Sequence, residues 1–145
     1  MKTEPDVFSI RDLKKNKTTL WEGVRNYQAR NFLTSMQVGD SVLIYHSNAE
    51  PSGVAGIGTV SGTAVPDPAQ FDKKSEYYDA KASKDKPRWF CPEIKFVSEF
   101  KKFISLEQLK SDPKLAGMLV IKRGQRLSVQ PVSKEDYEHI LKLGT

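Results

Sequence analysis

The sequence predicts an α+β fold in which a strongly bent mixed sheet or small β-barrel is flanked by helices. Three observations predict it. Short alternating strand signals recur along the chain, helical signals are few and scattered, and the two do not alternate in the regular way that builds a parallel α/β sheet. A chain of 145 residues with 38% hydrophobic content fits one domain, residues 1–145, with a core of its own.

The first strand signal is "DSVLIYHS", where Val42, Ile44 and His46 share one face and Leu43, Tyr45 and Ser47 the other. "GVAGIGTV" is the second. Its Gly56 and Gly58 fall on one face between Val54 and Val60, an arrangement that weakens a strand but lets a ligand or another backbone come close. "RWFCPEIKFV" is the third, with Phe90, Ile94 and Phe96 on one side. The fourth is "QRLSVQPV", which sets Leu127 and Val129 against Arg126, Ser128 and Gln130.

Helices are expected in three places. "NYQARNFLTSM" keeps Ala29, Phe32, Leu33 and Met36 on one stripe behind the N-cap Asn26, and Gly39 ends the segment. "SLEQLKSD" opens with a capping-box pattern, Ser105 and Gln108. "SKEDYEHILKL" starts at Ser133 and carries Tyr137, Ile140 and Leu141 on its apolar face. Between the second and third strands, from about Ala64 to Pro87, the proline-rich "VPDPAQFD" reads as a long turn-rich loop, a length that often goes with function.

Net charge is +5, which favours an anionic partner, nucleic acid above all, although many of the lysines lie in polar stretches such as "DLKKNK" that also suit a plain solvated surface. The single cysteine, Cys91, forms no internal disulfide, and no Cys/His cluster has zinc spacing. No apolar run reaches the roughly 18 residues of a membrane span. These features point to the cytoplasm, or to the nucleus of a eukaryote, with no metal and no cofactor.

Several residues have a chemistry to offer. Trp21 and Trp89 sit beside polar or basic residues, so each is either a core indole or a stacking wall for a base. Arg25 and Arg30 flank the start of the first predicted helix, where they either hold a phosphate or tie the helix to the sheet. "YHSN" ends a strand with the polar run His46, Ser47 and Asn48, and Arg126, Ser128 and Gln130 form a second polar row. Catalytic templates fit poorly. His46 and Ser47 are adjacent on a strand and point to opposite faces, and neither a phosphate loop nor a dinucleotide fingerprint is present.

Taken together and in order, "KTEP", "WEGVRNYQARNFL", "VGDSVLIYHSN", "GVAGIGTV", "PDP", "PRWF" and "RLSVQPV" resemble the EVE domains across essentially the whole chain. The resemblance implies a PUA-like fold, a small mixed β-barrel flanked by helices, akin to the YTH domains that hold methylated adenine in an aromatic cage. It implies a monomeric, non-catalytic reader of a modified base, with C5-substituted cytosine in DNA the leading ligand and RNA an alternative. On that reading Trp21 and Trp89 sandwich an extruded base in a pocket between the first helix, "YHSN" and "RLSVQP". Asn26, Ser47, Asn48 and Gln130 are available to its edge, and Arg25, Arg30 and Arg126 hold phosphates. Two other functions compete: a PUA-like hydrolase acting on a modified nucleoside, and a protein-interaction module.

Overall fold

A computed structural model describes residues 1–145. In chain order the elements are β1 (Lys2–Thr3), α1 (Ile10–Asn16), β2 (Thr18–Leu20), α2 (Tyr27–Ser35), β3 (Ser41–His46), β4 (Gly53–Pro66), β5 (Phe90–Ser105), α3 (Leu106–Ser111) and α4 (Lys134–Gly144). Short 3-10 turns lie at Pro68–Phe71, Pro113–Leu115 and Leu119–Ile121. The strands form one sheet in the order β1-β3-β4-β5-β2, antiparallel except where β1 runs parallel to β3.

The antiparallel ribbon of β4 and β5 is the spine, running from the pair Gly53–Ser105 to the pair Pro66–Phe90. Its register shifts between Val54 and Gly56, Ile57 and Gly58, Val60 and Gly62, and Gly62 and Val65. Each shift adds twist and bends the strand, which is how two strands of 14 and 16 residues curl instead of running flat.

The alternation along β3 is realised on both faces. Leu43 and Tyr45 pack with Val54, Phe100, Ile104 and the α3 and α4 residues Leu109 and Ile140, whereas Val42 and Ile44 pack with Ile10 and Leu13 of α1, Val60, Ile94 and Trp21. Ala29 and Leu33 of α2 close over Val129 in a third, smaller cluster. The glycines of β4 serve this packing. A Cβ on Gly56 would lie 2.4 Å from the Ser98 carbonyl oxygen and 3.0 Å from Ile10, and one on Gly58 would lie 2.9 Å from the Lys95 oxygen, so they admit α1 and the β5 backbone, and no ligand.

The three expected helices form, with Asn26, Ser105 and Ser133 as their caps and the Ser105–Gln108 capping box in place. Three elements escape the pattern reading, the two-residue β1 among them. The lysine-rich stretch "DLKKNK" belongs to α1, whose capping box joins Ser9 and Asp12, and β2 pairs with β5 through only three residues.

The strand expected at "QRLSVQPV" does not form. Local bonds replace a ladder there: the Leu127 N–H donates to Gln125 Oε1 and the Gln130 amide donates to the Leu127 carbonyl. One backbone bond, from the Lys2 N–H to the Ser128 carbonyl, ties the segment to β1. Its apparent alternation comes from Val129, which is buried against α2. The predicted loop is also shorter than expected, because β4 continues through Ala64, Val65 and Pro66.

Candidate nucleic-acid interface

The segment after β2 turns at Gly23, whose φ of +87° suits glycine, and enters α2 through the N-cap Asn26, which accepts from the Ala29 N–H at 3.0 Å. Opposite it lies the loop between β4 and β5. Asp67 joins the two. Its carboxylate is 1% exposed and accepts from the Gly23 N–H at 2.8 Å, from Arg25 Nη1 at 3.0 Å and from the Ala69 N–H at 2.8 Å.

Gln70, wholly buried, fixes Trp89. Its amide nitrogen donates to the carbonyls of Asp67 and Trp89, both at 2.8 Å, and its oxygen accepts from the N–H groups of Arg88 and Trp89, both at 3.0 Å. That uses every donor and acceptor the side chain has. The indole N–H of Trp89 donates to Asp79 at 2.8 Å, and this bond, with one from the Lys81 N–H, holds the Asp79 carboxyl below its ordinary range.

Aromatic and cationic groups then stack in sequence. The Arg25 guanidinium lies 5.5 Å from the Tyr77 ring centre and 5.3 Å from that of Trp89, and Trp89 stacks on Tyr27 with centroids 5.0 Å apart and planes 20° apart. Arg30 lies 4.8 Å over Tyr27, and Arg88 donates to the Tyr27 hydroxyl. The chain Tyr77, Arg25, Trp89, Tyr27 ends on two tyrosines that are 37% and 49% exposed, while Trp89 itself is buried.

Arg25 is therefore an inward residue. Its Nε donates to the Tyr77 carbonyl and Nη1 to Val24 and Asp67, while Nη2 is buried with no hydrogen-bond partner, its charge facing two rings. Arg30 donates to the Arg88 carbonyl and to Asn31. Both ties are protein-internal, the second of the two readings their positions allowed.

The expected site is only partly assembled. Arg25, Asn26, Arg30 and Trp89 come together at the start of α2, but the Trp21 indole is buried beneath α1, edge-on to Phe8 at 6.4 Å. No aromatic contact joins it to Trp89, and neither indole borders any of the four principal clefts. His46 caps α1, its Nε2 accepting from the Ile10 N–H at 3.1 Å, and burial pushes its imidazole below the ordinary value against an opposing pull from Glu99. Ser47 and Asn48 line a separate cleft, Ser128 and Gln130 border a narrow one beside β1, and Arg126 is exposed. Burial, reinforced by Asp67 and Glu22, pushes the Cys91 thiol up to about 12, so it stays protonated.

Residues 1–143 match the EVE domain family model. The chain belongs to the EVE family. It is 42% identical over 146 residues to chicken thymocyte nuclear protein 1 and 40% identical over 162 residues to the human protein, spanning 60% and 72% of their lengths. These alignments cover 94% and 99% of the chain. Among solved structures, protein PSPTO5229 from Pseudomonas syringae superposes with a TM-score of 0.96 at 46% identity, covering 100% of this chain and 97% of that one. Human THYN1 protein in complex with 5-methylcytosine containing DNA superposes at 0.93 with 40% identity, covering 99% and 95%. The EVE fold here is PUA-like, a bent five-stranded sheet flanked by four helices.

Proposed function

We propose that this EVE domain is a non-catalytic reader of a modified base in DNA, with 5-methylcytosine the preferred ligand. One observation carries the reading: the stack of Tyr77, Arg25, Trp89 and Tyr27 ends on exposed tyrosine rings, held in place by buried Asp67 and Gln70. An extruded base continues such a stack, each aromatic–base contact contributing about 1 to 3 kcal/mol. The human relative, bound to DNA containing 5-methylcytosine, supports the choice of ligand at 40% identity. Tyr27 and Tyr77 then take the contact role that the resemblance suggested for Trp21 and Trp89, with Trp89 backing Tyr27.

Asp67 and Gln70 have all their bonds inside the protein, so they position the stack and leave base-edge recognition to groups at its rim. A buried, protonated Cys91 and a His46 engaged with a helix terminus fit binding better than turnover. In eukaryotes the name of the thymocyte nuclear protein 1 relatives favours the nucleus as the place of action.

The test is a titration of labelled duplexes that are identical except for cytosine, 5-methylcytosine or N6-methyladenine at one position. Preference for 5-methylcytosine is the expected result. Equal affinity for all three, or release of a free base or altered nucleoside by the purified protein, would overturn the proposal.

A further inference from the structure

Of the three cations offered for phosphate contact, Arg25 and Arg30 spend their donors on protein acceptors, while Arg126 is exposed. A second group of cations is far less engaged, with one protein acceptor among them, the Gln125 carbonyl that takes a bond from Lys2 Nζ at 3.4 Å. Between the end of β3, the start of α3 and the 3-10 turn at Leu119–Ile121 lies a cleft of about 500 Å³. Lys2, Lys110, Lys122 and Arg123 line it, and no carboxylate does. None of the four makes an ion pair with any acidic residue of the chain.

The polar residues of the cleft suit an anion as well. Asn48 stands at a φ of +50° and Gly124 at +78°, so the two chain reversals that form the rim bring short polar side chains and backbone close to the opening. Lys2 is half-buried beneath it, with Nζ 3.4 Å from the Gln125 carbonyl, and burial pushes its ammonium below the ordinary value. An anion entering the cleft relieves that cost, because the ammonium gains the counter-charge that its protein surroundings withhold.

We infer that this cleft is a phosphodiester-binding site, which holds the DNA backbone through Lys2, Lys110, Lys122 and Arg123 with Ser47 and Asn48 as neutral donors. The inference deepens the reader proposal by assigning its sequence-independent contacts, and it stands on geometry separate from the tyrosine stack. Phosphate contacts position a duplex without reading it, so the cleft governs affinity and salt dependence and leaves base preference alone.

The experiment measures the affinity of wild type and of the Lys122→Gln/Arg123→Gln double variant for methylated and unmethylated duplex, single strand and RNA of one sequence, at several salt concentrations. Both residues are exposed, and thermal unfolding of the variant verifies that it is folded. The expected result on duplex DNA is a salt slope shallower by about 0.9 for each contact removed, with the ratio of methylated to unmethylated affinity unchanged. A Lys14→Gln/Lys15→Gln variant removes the same charge from α1 and should leave the slope as it was. An unchanged slope in the cleft variant, or an equal change in the α1 variant, overturns the inference, as does binding of wild type to anionic vesicles or to RNA alone without duplex DNA. If wild type shows no base preference yet the cleft variant still flattens the slope on unmodified duplex, the reader proposal fails and the cleft stands.

Discussion

The carboxylate of Asp67 lies 3.0 Å from the Arg25 guanidinium, with the acid buried and the base mostly so, and this pair ties the start of α2 to the loop that carries Trp89. Removing one partner of such a pair strands the other charge away from water. Asp67→Ala should lower stability by about 3 kcal/mol, since breaking a buried pair costs about 3 to 5 and Arg25 keeps some solvent. Urea unfolding checks the magnitude. Asp67→Asn, which keeps an oxygen for the Gly23 N–H, should cost less; equal loss in both variants would mean that the charge, not the hydrogen bonds, matters.

A second prediction comes from the close approach at Gly56. A Cβ there would sit 2.4 Å from a backbone oxygen of β5, and backbone yields less readily than the end of a side chain. Gly56→Ala should therefore destabilise by about 1 to 3 kcal/mol, the usual cost of overpacking. Gly117→Ala is the control, because nothing lies within 4 Å of a Cβ at that position. Thermal midpoints of the two variants should separate clearly.

His46 makes stability depend on pH. Its Nε2 accepts from the first N–H of α1, which an imidazolium cannot do, and the folded value lies below the ordinary 6.5. The unfolded chain thus takes up the proton first. The contribution is complete above about pH 6.5 and is lost as pH falls toward and through the depressed folded value. Urea midpoints at pH 7.5, 6.5 and 5.5 should decline for wild type more steeply than for His46→Gln, which has no imidazole to titrate. Parallel declines would remove His46 as the cause.

How much of this was legible in the sequence follows from the physics of each element. β3 and the caps at Asn26, Ser105 and Ser133 depend on nearest neighbours and period, so alternation and cap chemistry revealed them. At "QRLSVQPV" a period of two was present without a partner strand, because side-chain amides took the bonds a ladder would have used. α1 was missed behind its lysines although Ser9 and Asp12 carry a capping-box pattern, the signal that would have found it. The family resemblance pointed to the start of α2, but whether Trp21 and Trp89 face each other depended on a distance that no motif encodes. Tyr27 and Tyr77, 50 residues apart in the chain, end one stack only because Arg25 and Trp89 link them.

The last prediction separates stacking from support within that chain of rings. Tyr27 and Tyr77 are exposed and make the outer surfaces, so Tyr27→Ala and Tyr77→Ala should weaken binding of methylated and unmethylated oligonucleotides alike, by about 1 to 3 kcal/mol where the tyrosine meets the base, with little effect on stability. Trp89→Ala is different in kind. It removes a buried indole, the bond to Asp79 and the backing of Tyr27 together, so it should lower both stability and affinity. Tyr27→Phe keeps the ring and loses only the bond from Arg88, and should bind nearly as wild type does. Anisotropy titrations beside urea melts on the four variants give the answer. If Trp89→Ala binds normally, or if neither tyrosine variant weakens binding, the base does not stack at this end of α2 and the contact surface must be sought elsewhere on the domain.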